Sequence, residues 1–152
     1  MGKVLEIYNR IIERLEAANV TGGLLADFGS ITGGFRPKTY EPKSMPSIVV
    51  TMGGGSLDGN NQRDVTASQS ITVEIMANSA SASNRFFNST TEKGIIVDKE
   101  NVINAIFSDY DLGCVANERI DIDWDYEELD NGFVRCTLTI DVISLPFGPG
   151  GL

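Results

Sequence analysis

Apolar residues at three- and four-residue spacing open the chain: Val4, Leu5, Tyr8, Ile11, Ile12 and Leu15, with Asn9, Arg10, Glu13, Arg14 and Glu16 on the opposite side. Side chains that recur about every 3.6 residues share one helical face, so this stretch predicts an amphipathic helix over residues 3–18. Asn19 and the pair Gly22-Gly23 supply its stop. The helical period then vanishes. Residues 21–34 are rich in glycine and read as a flexible loop. Phe35 to Glu41 reads as a short strand that Pro37 and Pro42 confine to a sheet edge.

A two-residue period takes over from Pro46 to Met52, with Ile48, Val50 and Met52 on one face and Val49 and Thr51 on the other. The run Gly53-Gly54-Gly55-Ser56-Leu57-Asp58 follows, within a segment 53–64 expected to be a mobile hairpin loop. Val65 to Asn78 alternates again, Ile71, Val73, Ile75 and Ala77 inward against Thr72, Glu74 and Met76 outward. The two runs should therefore pair as an antiparallel hairpin. Residues 79–91 are polar apart from Phe86 and Phe87, and form a third expected loop with those two rings as a local anchor. Helical spacing returns at Val102, Ile103, Ile106, Phe107 and Tyr110, with Asp98 as the expected N-cap and an end near Asp109 to Gly113.

The last hairpin fixes its own register. Ile120, Ile122, Trp124 and Tyr126 alternate with Asp121, Asp123, Asp125 and Glu127, and the partner strand Phe133 to Leu145 carries Val134, Cys136, Leu138, Ile140 and Val142 on its apolar side. A two-residue turn at Asn131-Gly132 would set Trp124 opposite Thr139 and Ile122 opposite Asp141, with apolar faces on opposite sides of the sheet. A three-residue loop, Asp130-Asn131-Gly132 with Gly132 left-handed in a bulge, sets Trp124 opposite Leu138, Ile122 opposite Ile140, Tyr126 opposite Cys136 and Glu127 opposite Arg135. The second register is the expected one, at the cost of placing Asp121 opposite Asp141.

Together these elements predict an α+β fold in the order α-β-β-β-α-β-β, a mainly antiparallel sheet of about five strands with two helices packed on one face. A length of 152 residues suits a single domain over 1–152, closed by an extended C-terminal tail, 144–152, whose Leu145, Phe147 and Leu152 could dock on an adjoining subunit.

Charge narrows the functional classes. Twelve Lys plus Arg stand against 21 Asp plus Glu, a net charge of −9 with no His. Affinity for nucleic acid or anionic lipid needs Lys and Arg to replace counterions, so neither is expected. Without His the chain lacks the commonest general base and metal ligand, and the expectation is no catalytic residue, no cofactor and no metal. Residues 109–130 hold nine acids against Arg119 alone, a local balance of −8.

Three features invite a sharper chemistry. The glycines after residue 52 lack the Lys-Ser/Thr end of a phosphate loop, and another strand rather than a helix follows them. The row Asp121, Asp123, Asp125 invites a divalent ion, but it lacks the Gly and Glu of a calcium loop and spaces its carboxylates about 7 Å apart. Cys114 and Cys136 match no metal motif and read as reduced core thiols. No signal sequence or run of about 18 apolar residues is present, so a soluble protein made in the cytoplasm is expected.

The helix Leu5-Glu6-Ile7-Tyr8-Asn9-Arg10-Ile11-Ile12-Glu13-Arg14-Leu15, the strands Ser47-Ile48-Val49-Val50 and Gln69-Ser70-Ile71-Thr72-Val73-Glu74-Ile75, the helix Val102-Ile103-Asn104-Ala105-Ile106-Phe107 and the closing strand Arg135-Cys136-Thr137-Leu138-Thr139-Ile140-Asp141-Val142 resemble, in pattern and order, the tail terminator proteins of long-tailed bacteriophages and related neck proteins. The resemblance spans nearly the whole chain, while segments 21–34 and 79–91 depart from it as added Gly- and Ser-rich stretches. It implies a non-enzymatic virion protein of the tail or neck, made in the host cytoplasm. Such a protein forms a homohexameric ring that caps the tail tube, ends tube growth and meets the head-tail connector or stopper protein. DNA passes through the lumen as non-specific cargo, and no membrane is involved. The acidic face Asp121, Asp123, Asp125 and Glu127 would line the lumen or rim, Gly53–Asp58 would be a docking loop, and Leu145, Phe147 and Leu152 an intersubunit tail. Within this class a head-closure or other tail-completion protein is the alternative. From other classes, a small ligand-binding module would need exposed aromatics, whereas Trp124 is inward in phase; an enzyme would need buried carboxylates, whereas Asp123 and Asp125 sit on a solvated strand face.

Overall fold

Helix α1, Lys3–Ala18, and helix α2, Ile95–Ile106, bury their apolar residues in one core with a single five-stranded sheet. The computed structural model describes residues 3–34, 46–59, 65–78, 94–108, 112, 118–129 and 132–144. The strands are β1 Ser30–Gly33, β2 Ser47–Gly59, β3 Val65–Asn78, β4 Glu118–Leu129 and β5 Phe133–Ser144, in the spatial order β1-β2-β3-β5-β4. Only β1 with β2 is parallel; the other neighbours are antiparallel. The α+β class, element order and mainly antiparallel sheet are those read from the sequence.

Helix α1 buries Ile7, Ile11 and Leu15, each one turn from the next, while Leu5 stands 42 % exposed outside the stripe. Its polar side is also used. Arg14 Nη1 donates to the Ile106 carbonyl at 2.8 Å and Arg10 Nη1 to the Leu112 carbonyl at 3.1 Å. A cation thus meets the C-terminal end of α2, where the last carbonyls lack helical partners and the helix dipole is negative.

Helix α2 starts three residues before the expected Asp98. Gly94 is the N-cap, without a side-chain hydrogen bond, and Asp98 lies in the first turn with its amide donating to the Gly94 carbonyl at 3.1 Å. A glycine cap offers no side-chain signal, which is why the acid downstream drew the boundary. The helix ends at Ile106, earlier than Asp109 to Gly113, with the Phe107 amide bonding the Ile103 carbonyl.

The segment after α1 is not the flexible loop that its glycines suggest. Leu25 and Phe28 are buried, and Asn19 Nδ2 donates to both of their carbonyls at 2.6 and 2.9 Å. The Leu25 amide returns to the Ala18 carbonyl, and strand β1 follows within the same segment. Two isolated apolar residues carry no period, so their burial is decided by where the turn brings them. The strand expected at Phe35 to Glu41 lies outside the described residues, as do Phe86, Phe87, segment 79–91, Cys114, Tyr110 and the tail residues Leu145, Phe147 and Leu152.

One sheet face carries the core. Ile48 and Val50 on β2, Ile71, Val73, Ile75 and Ala77 on β3, and Val134, Cys136, Leu138, Ile140 and Val142 on β5 are all fully buried with the helices. The opposite face is polar by phase, yet on β3 Glu74 and Met76 are buried as well. They are central in the sheet, Glu74 between Val49 and Thr137 and Met76 between Ser47 and Arg135, so neighbours on both sides cover them.

Candidate functional site

The β4–β5 hairpin has the register deduced from the alternation. Trp124 faces Leu138, Ile122 faces Ile140, Tyr126 faces Cys136 and Glu127 faces Arg135, with Asp121 opposite Asp141. Gly132 has φ +79°, the left-handed conformation that a three-residue connection requires and that a Cβ disfavours. One residue of loop length thereby decides which face every β4 side chain takes.

Register extends the acidic row across the sheet. Asp121, Asp123, Asp125 and Glu127 share the face away from the helices with Asp141 on β5 and Glu74 on β3. Asp121, Asp123, Asp125 and Glu127 are exposed. Across β5 their partners are Asp141, Thr139, Thr137 and Arg135, and Arg135 forms an ion pair with Glu127. The Ser70 hydroxyl on β3 donates to Asp141 Oδ1 at 2.5 Å. Among the described residues no three acidic or thiol side chains are gathered so that they could hold a metal ion.

The stretch Gly53–Asp58, expected as a loop, is strand. It continues β2 to Gly59 and pairs with Val65 to Gln69, which leaves only residues 60–64 between the strands. The glycines serve a β-bulge: the register shifts between Met52 and Gly55, so Gly53 and Gly54 together stand against Ser70. Gln69 Nε2 fastens it by donating to the Gly53 carbonyl at 2.7 Å and the Gly54 carbonyl at 3.3 Å. A Cβ on Gly55 would lie 2.7 Å from the Ser68 carbonyl oxygen, so close backbone approach is what the glycine provides there. Beyond the bulge the arm carries Leu57, 67 % exposed, and a Ser56–Ser68 hydroxyl pair at 2.9 Å.

Trp124 departs from its inward reading in one respect. Its phase is that of the helix-bearing face, but β4 is the sheet's edge and the ring remains 50 % exposed. Lys99, from the N-terminal half of α2, places Nζ 4.3 Å from the ring centroid, a cation–π contact between the helix layer and the edge strand. Alternation gave the face of Trp124 and contained nothing about how far the helices reach across the sheet.

Cys136 on β5, opposite Tyr126, is fully buried and free, and burial pushes its thiol up to about 12. Lys99 acts to lower that value and Asp125 to raise it, both less than burial does. The thiol is therefore held protonated and is a poor nucleophile. Tyr126 opposite it is also raised, by burial first and then by Cys136 and Glu100. The site so assembled is a charged surface and an aromatic edge. Compared with protein-family models the chain matches none, and no curated protein matches it.

Proposed function

We propose that this chain is a structural virion protein that caps a phage tail tube as a ring, ends tube growth and forms the joining surface to the head connector, with DNA passing through the lumen. The observation that carries the reading is the division of the sheet. Both helices share the core on one face, and the other presents Asp121, Asp123, Asp125 and Glu127 in a row with Asp141 beside it on β5. A wall of carboxylates repels phosphate and lets a duplex slide without adhering. The core behind that wall is one continuous cluster of buried apolar side chains, as a ring subunit under load requires. The β2–β3 arm, with Leu57 exposed beyond its bulge, offers a contact to a neighbouring subunit or to the tube. The hexameric count, the virion location and the partners, tail tube protein and head-tail connector or stopper, follow from the resemblance to tail terminators, with head closure as the alternative within that class.

Electron microscopy of the purified protein, alone and mixed with tail tubes, tests the reading. Rings, or caps on tube ends, are the expected result; rings that join connectors and ignore tubes would assign head closure instead. A protein that stays monomeric and binds neither would overturn the virion role. Lysines at 121, 123 and 125 should slow genome ejection with assembly intact, and unchanged ejection kinetics would move this face to the outside of the ring.

The half-exposed Trp124 favours one second reading, a small ligand-binding module. A saturable change in tryptophan fluorescence on titration with glycans or other small ligands would support it.

A further inference from the structure

We propose that the outer edge of β4 is a docking site for an extended, basic segment of another polypeptide, in which Lys or Arg alternates with apolar residues and which adds to the sheet as a further antiparallel strand. The inference holds for a monomer or a ring and is independent of the tail reading.

The edge is long and regular. β4 runs from Glu118 to Leu129 without glycine, proline or a register shift, and among the described residues it ends the sheet. An edge strand turns half of its backbone N–H and C=O groups away from its neighbour, and these form a template for another strand. At Tyr126 the amide donates to the carboxylate of Asp125 at 3.1 Å, a side chain standing where the carbonyl of a further strand would accept.

The side chains select the occupant. On one face Asp123 and Asp125 meet only the neutral Thr139 and Thr137 across β5, so their charge is not neutralised within the sheet. On the other face Ile122 and Tyr126 are only partly buried and Trp124 is half exposed, whereas their β5 partners Ile140, Cys136 and Leu138 are fully buried. Lys99 fixes one side of the Trp124 ring, which pre-positions an aromatic anchor at the middle of the edge. An incoming strand with cations on the carboxylate face and apolar residues on the Trp124 face satisfies both surfaces at once.

A second copy does not. Two β4 edges paired antiparallel in one continuous sheet keep their faces, so Asp121, Asp123, Asp125 and Glu127 would lie against the same acids of the copy. Pairing with the outer edge of a copy's β2 arm, Thr51 to Gly59, brings no cation either. The acids thus act against self-pairing at this edge and, by the same charge, in favour of a basic partner there.

Trp124 is the only tryptophan, so its fluorescence reports on this edge directly. The probe is a synthetic Lys-Val alternating peptide as long as β4, compared with a Glu-Val peptide and with a Lys-Val peptide N-methylated on alternate residues. The full chain should give a saturable Trp124 shift with Lys-Val alone. The double variant Asp123→Lys/Asp125→Lys, checked for folding by circular dichroism, should bind Lys-Val about tenfold more weakly and gain affinity for Glu-Val. Asp123→Asn/Asp125→Asn should fall between. No shift with Lys-Val, or equal affinity for the N-methylated peptide, would overturn the proposal, the latter by reducing the binding to charge attraction without strand addition.

Discussion

Asp121 on β4 and Asp141 on β5 stand directly opposite each other, two carboxylates on the helix-free face, and Ser70 on β3 donates its hydroxyl to Asp141. A like-charge pair at facing positions is destabilising, so this hairpin retains an internal repulsion for the sake of a register that turns Ile122, Trp124 and Tyr126 to the helix-bearing face, opposite the buried Ile140, Leu138 and Cys136. The repulsion is measurable separately from the other contacts of either acid. In a double-mutant cycle of Asp121→Asn and Asp141→Asn, urea unfolding should give a repulsive coupling of about 0.2–1 kcal/mol, smaller at high salt. A coupling of zero would mean that solvent already screens the pair.

Gly132 carries the register. With φ at +79°, Gly132→Ala should cost about 1–2 kcal/mol of stability, whereas Gly132→Asn, whose side chain tolerates the left-handed region, should cost less. Denaturant midpoints measure both. If alanine is neutral, the connection does not need a left-handed residue and something other than the turn sets the pairing.

Cys136 gives the protein a signed response to alkali. Its thiol is raised from 9.0 to about 12 in the folded chain, so the folded state holds a proton that the unfolded state releases. The resulting stabilisation is complete below about pH 9 and is lost as pH rises towards about 12, and stability should fall across that window. Cys136→Val, which keeps the volume and cannot ionise, should flatten the decline. In a Cys114→Ser background, Ellman's reagent at pH 8 should react with Cys136 only on the timescale of unfolding; rapid reaction would show that the strand opens locally.

The alternation of β4 and β5 was sufficient to give strand type, the three-residue loop and each cross-strand pair, because a two-residue period admits only one phase that places all apolar residues on one side. The helical stripe of α1 was legible for the same reason, at a different period. Boundaries marked by glycine were less legible. Gly94 caps α2 without a side chain, and Gly53 and Gly54 form a bulge inside a strand where the composition reads as a loop. Glycine allows a turn, a bulge or a close approach alike, and the choice among them comes from the partner strand.

The sequence by itself determined the α+β class, the order of elements, the inward face of β3, β4, β5 and the first half of β2, and the concentration of acid in the last hairpin, since all of these depend on residue spacing along the chain. The tertiary structure alone decided that β4 is an edge, that Trp124 is therefore half exposed under Lys99, that Glu74 and Met76 are buried on the polar face, and that Arg10 and Arg14 tie α1 to the end of α2 and to Leu112. Those outcomes depend on lateral position within the sheet and on the reach of the helix layer, which are relations between segments distant in sequence and leave no period in it.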